Sequence, residues 1–253
     1  MTLIRTVIAP FGVIQASDSN LTITRLDIFG RRIASPGGEG RKVFALRFAN
    51  AAIALCGPYR VDGKAMTRWM PRFIRTYART DAPTLRGFAE RLKTQLEQSI
   101  GLDTDCLYHI AGYTWENGSW RPQMWFVTNV AGIDPSTGAY LGPRGWKEPT
   151  DEFPKGAIRA SYINGLAAGR ISFNAISSNL EGLMKAIWEK PQWKFREPHT
   201  LDELAAIVDV ELRAIGALYR SSTYPAPYVG GDTQILLVPP PPGRVRVWRL
   251  KAG

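Results

Sequence analysis

Two apolar runs open the chain, Leu3 to Ala9 and Gly12 to Asp18, and Pro10-Phe11-Gly12 separates them. The pattern predicts a hairpin of residues 2–9 and 12–18, with Leu21-Thr22-Ile23-Thr24 as a short following strand. The stretch from Ile28 to Gly40, with Ser35-Pro36-Gly37-Gly38 inside it, reads as turn and loop. A second hairpin is expected from residues 42–48 and 51–57 about Ala49-Asn50. The period then changes. Met66, Trp69, Met70, Phe73, Ile74 and Tyr77 recur at the spacing of one helical face. A second helix is expected from Asp81-Ala82-Pro83 onward, with Leu85, Phe88, Ala89, Leu92 and Leu96 as its apolar side.

Strands resume at Cys106–Thr114 and Gln123–Val130 around the turn Glu116-Asn117-Gly118. From Gly132 to Gly156 the chain is rich in Gly, Pro and Trp, and its lack of periodicity suggests a functional or interfacial segment. Ile163–Trp188 reads as a helix with Ile176, Leu180, Leu183, Met184 and Ile187 on one side. Thr200 and Glu203 have the spacing of a capping box before the stripe Leu204, Ala205, Val208, Leu212, Ile215 and Tyr219. Thr233–Val238 and Val245–Leu250 read as a terminal hairpin. The order is strands, two helices, strands, two helices, strands. Such segregation fits an α+β fold with two antiparallel sheets face to face and a helix pair outside each. No repeat or boundary divides residues 1–253, so a single domain is expected.

Composition narrows the class of protein. With 253 residues, 45% hydrophobic and 21% charged, the chain can bury a substantial core and is not of disordered type. Its apolar runs are too short to span a membrane, and the N-terminus lacks a signal-peptide pattern, so a cytoplasmic protein is expected. Cys56 and Cys106 sit in apolar runs and read as buried small hydrophobes. His109 and His199 stand alone, so neither a metal site nor a cofactor is expected. The net charge of +10 favours acidic partners. The Lys and Arg residues are scattered and form no nucleic-acid motif, which argues against that role. Gly57 to Ala65 imitates a phosphate loop but has five residues between its glycines and Ala in place of Ser or Thr, which excludes nucleotide binding there.

Candidate chemistry lies at the start of the chain. Removal of Met1 would leave Thr2 with a hydroxyl and a free amine on one residue. An amine with a pKa near 8 can take the hydroxyl proton and activate the oxygen as a nucleophile. With Met1 retained, Thr2 is an ordinary second residue.

Thr2, Asp18 sixteen residues later, and Lys42 before Val43-Phe44-Ala45-Leu46 together resemble the catalytic set of the proteasome β-subunit family, in its bacterial proteasome-homologue form. That family is the threonine branch of the N-terminal-nucleophile hydrolases. The apolar strand Ala51–Cys56 ending at Gly57, the segment His109-Ile110-Ala111-Gly112-Tyr113, and Val229-Gly230-Gly231 before the last strand follow the family's order over most of the chain. Asp62 falls where many members carry an Asp at the start of the first long helix. The resemblance implies a four-layer αββα sandwich. It also implies Thr2 as nucleophile, Lys42 as the cation tuning it, Asp18 holding that cation, and the Gly57 amide as oxyanion donor. Copies would form a self-compartmentalising ring acting on peptide or protein substrates, with room for a separate ATPase to feed it.

The departures concern the supporting residues. The family's Arg two positions after the Asp is Asn20 here. Its Asp and Ser before the final Gly-Gly align with Ala226 and Val229, and its later Ser has only Ser161 and Ser172 nearby. The loop between Asp18 and Lys42 is also longer than in the family. The sequence therefore leaves three readings open: a threonine peptidase, a catalytically weak or inactive ring-forming subunit on the same fold, and an amidase of small molecules.

Overall fold

The computed structural model describes residues 2–26, 28–29, 32–102, 104–130, 145–165, 173–190, 196–221 and 229–249. The elements in chain order begin with β1 (Leu3–Ala9), β2 (Gly12–Asp18), β3 (Asn20–Leu26), β4 (Arg32–Glu39), β5 (Val43–Leu46) and β6 (Ala51–Cys56). A small ribbon of β7 (Arg60–Val61) and β8 (Lys64–Ala65) leads into α1 (Met66–Tyr77) and α2 (Leu85–Ser99). Then come β9 (Leu107–Glu116), β10 (Ser119–Thr128), β11 (Thr150–Asp151) and β12 (Ala160–Gly165). The chain continues through α3 (Phe173–Trp188), α4 (Leu201–Ser221), β13 (Thr233–Val238) and β14 (Arg246–Val247).

Two five-stranded antiparallel sheets organise the molecule, one ordered β12-β1-β2-β13-β14 and the other β11-β10-β9-β6-β5. Three apolar cores follow from the alternation of their strands. Leu46, Ile53, Ile110 and Val127 pack with Met70, Phe88 and Leu92 between the second sheet and the helices α1 and α2. Leu3, Ile14 and Leu237 meet Ala205, Val208, Leu212 and Ile215 of α4 on the first sheet. Ile4, Ile8, Val13 and Leu236 meet Val43, Ala52, Ala54 and Ala111 between the two sheets. Both faces of β1, β2 and β6 are therefore covered, which explains their nearly continuous apolar sequences. Gly112 is required where β9 pairs with the start of β6, since a Cβ there would lie 2.2 Å from the Ala51 Cβ.

The capping box at the head of α4 forms. The Glu203 amide donates to Thr200 Oγ1 at 3.2 Å, and the Glu203 carboxylate accepts from the His199 amide at 2.8 Å. Cys56 and Cys106 are buried and form no disulfide with each other, and burial pushes the Cys106 thiol up to about 12.

Several expectations need correction. Ile28–Gly40 is not all loop: Arg32–Glu39 is a strand paired with Asn20–Leu26 in a separate two-stranded ribbon. Such a ribbon tolerates Pro36 and two glycines because each strand has a free edge. Residues 163–165 are not helical. They complete β12, which pairs with β1 from Leu3↔Gly165 to Ile8↔Ala160, and α3 begins at Phe173. The second helix starts at Leu85 with Thr84 as its cap, three residues past Asp81-Ala82. The turn Glu116-Asn117-Gly118 is tighter than expected, since β10 begins at Ser119. Among the described residues the terminal pairing covers Leu236↔Val247 and Leu237↔Arg246. Of the stretch Gly132–Gly156, residues 132–144 lie outside the described residues and Thr150–Asp151 forms an edge strand on β10.

Candidate active site

Hairpin register explains why an Asp sixteen positions after Thr2 belongs beside it. β1 pairs with β2 through Ile4↔Ser17 and Ala9↔Gly12, so one step further Leu3 faces Asp18. The Leu3 amide donates to Asp18 Oδ1 at 2.8 Å. From the other side β13 places Thr233 opposite Asp18, and the Gly230 amide donates to Asp18 Oδ2 at 3.3 Å.

Lys42 comes from the second sheet. Its carbonyl accepts the Leu55 amide at 3.0 Å, which extends the β5–β6 ladder by one rung and directs the side chain inward. Lys42 Nζ donates to Asp18 Oδ1 at 3.1 Å and also to the Asn20 main-chain oxygen. Both side chains are almost fully sequestered, at 2% and 3% exposure. Burial raises the Asp18 carboxyl above its ordinary value, while Lys42 and the Leu3 and Gly230 amides oppose that rise. A buried ion pair is stable only when its remaining hydrogen-bonding capacity is met. Here Asp18 has three donors and Lys42 two acceptors, which leaves one ammonium hydrogen for a further partner.

Thr2 is 6% exposed and lines one cavity together with Lys42 and Gly57. Three of the four site residues anticipated from the sequence thus border a common space, and the fourth, Asp18, is bonded to Lys42. The Thr2 carbonyl accepts from Cys56 Sγ at 3.4 Å, tying the start of the chain to the end of β6. Gly57 follows that strand, and a Cβ on it would stand 3.1 Å from the Tyr108 hydroxyl, so a glycine lets the backbone pack closely against Tyr108 at the edge of the cavity.

Other anticipated positions fall elsewhere. Asp62 Oδ2 accepts from Trp69 Nε1 at 3.4 Å at the base of α1. Ser161 serves a different cluster: Arg5 Nη1 donates to its hydroxyl, and Arg5 also pairs with Glu181 and Glu211. Val229 is a buried apolar residue of the α4 core. Ser172 and Ala226 lie outside the described residues.

Two contributors were not anticipated from the sequence. Gln234 clamps the strand carrying Lys42: its Oε1 accepts the Lys42 amide and its Nε2 donates to the Gly40 carbonyl, both at 2.8 Å. Asn20 acts on Lys42 through its backbone oxygen. An inward polar residue on an otherwise apolar strand, Gln234 in Thr233–Val238, was the available clue to the first. A main-chain acceptor leaves none.

Comparison with solved structures finds a proteasome-like neighbour for the fold. The chain aligns over 100% of its length, and over 88% of the other chain, with a Gly-1 mutant of Anbu from Hyphomicrobium sp. strain MC1, with a TM-score of 0.52 and 13% identity. Anbu is a bacterial proteasome-like protein of the N-terminal-nucleophile hydrolase type. At that identity the likeness concerns the fold. No protein-family model and no curated protein sequence matches the chain. Among the described residues no helix is long and apolar enough to cross a membrane.

Proposed function

We propose that the chain is a threonine-type N-terminal-nucleophile amide hydrolase acting on peptides, a single domain built as a four-layer αββα sandwich. The observation that carries this reading is the buried ion pair of Lys42 Nζ with Asp18 Oδ1, 3.1 Å apart, whose Lys42 lines one cavity together with Thr2 and Gly57. After Met1 is removed, the freed amine accepts the Thr2 hydroxyl proton, directly or through an ordered water. The hydroxyl oxygen then attacks the carbonyl. On this reading the third ammonium hydrogen of Lys42 serves the developing alkoxide, and Asp18 holds that ammonium in place. The Gly57 amide donates to the tetrahedral oxygen. The intermediate collapses, the amine product leaves with the proton, and water releases the acyl group from Thr2. By the same reading copies assemble into a ring in the cytoplasm that takes peptide or protein substrates, with an ATPase as a further partner.

Intact mass and labelling test this. Mature protein lacking Met1 should take up one equivalent of a β-lactone or epoxyketone probe on Thr2, and Thr2→Ala should abolish both labelling and peptide hydrolysis. Retention of Met1, or hydrolysis unchanged in Thr2→Ala, overturns the reading. A second reading, an inactive ring-forming subunit on the same fold, is favoured by Asn20 in place of the family's Arg and by apolar Val229 where a helper would stand. It predicts a mature, assembled protein that the probe leaves untouched.

A further inference from the structure

The cavity in front of Thr2 holds a positive charge that the proposed chemistry does not consume. Arg41 lines it with Leu55, Pro58, Tyr59 and Met66. Arg41 Nε donates to the Val43 carbonyl at 2.9 Å, and the guanidinium carbon sits 4.9 Å from the centroid of the Phe44 ring. Both contacts fix the head group and neither neutralises it. Among the described residues no carboxylate pairs with Arg41, and no Asp or Glu lines the cavity. Lys42 is matched by Asp18, so the net local charge is that of Arg41. With Nε engaged, the two terminal nitrogens remain as a fork suited to two parallel bonds to a carboxylate.

On the reading of Thr2 as nucleophile, we propose that this cavity selects an acidic side chain on the residue whose carbonyl Thr2 attacks. The carboxylate of a Glu or Asp would meet the Nη1 and Nη2 atoms of Arg41, with its methylenes against Leu55 and Met66. The chain's net charge of +10 favours the approach of such substrates over basic ones.

The test uses Met1-free enzyme and fluorogenic tripeptide amides that differ only in Glu, Leu or Lys before the scissile bond. The Glu substrate should exceed the Leu substrate by about tenfold in kcat/KM, mostly through KM, and Arg41→Glu should turn the preference toward Lys. Arg41→Lys should keep the acidic preference at reduced strength. A second measurement needs no turnover: fluorescence anisotropy of the same labelled peptides on full-length Thr2→Ala. Hydrolysis indifferent to charge overturns the selectivity and leaves Thr2 as the nucleophile. Absence of hydrolysis with Glu-peptide binding that Arg41→Glu abolishes keeps the acidic site and overturns the nucleophile. Neither hydrolysis nor charge-dependent binding overturns both.

Discussion

Replacing Lys42 with Met leaves Asp18 buried without its counter-charge, and the loss can be worked from the geometry. At 3.1 Å and an effective dielectric near 20, the attraction forfeited is about 5 kcal/mol. Asp18 has an escape, because it can take up a proton. Against an ordinary value of 3.8, protonating it at pH 7 costs about 4 kcal/mol, which caps the loss near that figure. At pH 5 the same uptake costs only about 1.6 kcal/mol. The sign follows from linkage. In Lys42→Met the folded state holds a proton that the unfolded state releases above its ordinary value, so the variant loses stability as pH rises. Urea denaturation at pH 5 and pH 7 should therefore show a deficit relative to wild type that grows from roughly 1.6 to roughly 4 kcal/mol. The double variant Asp18→Leu, Lys42→Met should recover most of that stability while Thr2 stays unreactive toward a β-lactone. A deficit below 1 kcal/mol, or one independent of pH, would mean the pair is solvated and would refute the reasoning.

Three further outcomes are expected. His109 is fully buried, with Nδ1 2.9 Å from Thr6 Oγ1 and Nε2 2.8 Å from Asn164 Oδ1, and burial lowers its pKa from 6.5 to about 3. The unfolded state therefore binds the extra proton between those values, and stability should fall by about 3 kcal/mol from pH 7 to pH 4.5; His109→Gln should flatten that slope in urea titrations. Gly112→Ala drives a Cβ to 2.5 Å from the Ala51 Cα, a backbone atom that cannot turn aside, and should cost at least about 3 kcal/mol in thermal unfolding. Thr200→Ala removes the oxygen that receives the Glu203 amide and should cost about 1 kcal/mol, with near-wild-type Thr2 labelling by intact mass.

What the sequence disclosed and what it withheld divide along physical lines. The pairing of residues 2–3 with Asp18 was legible because an antiparallel hairpin converts separation along the chain into proximity. The helices were legible where one apolar face recurs, as in Met66–Tyr77 and Leu201–Ser221. Lys42 was legible only through resemblance, since nothing local distinguishes it from its neighbour Arg41 until the fold buries one and exposes the other. Strand Arg32–Glu39 was missed because Pro36, Gly37 and Gly38 act as breakers in a sheet interior but are tolerated in a two-stranded ribbon. The apolar pattern puts Ile163 at the head of a helix because it lies near the apolar stripe of the following segment. Its place is on a strand flanking Leu3–Ala9, where burial against α4 is set by long-range pairing. Gln234 and the Asn20 carbonyl were hidden for the same reason: their partners lie across the sheets.

The turn at Pro10-Phe11 acts as a ruler for the whole site. Adding or deleting one residue there would slide one strand past its neighbour and turn every side chain of β2 to the opposite face. Asp18 would leave Lys42 as Ile14 and Ala16 left their core positions. Changes of length at this bend are thus closed to gradual variation, and a descendant that alters the site while keeping its body must do so by exchanging residues at fixed spacing.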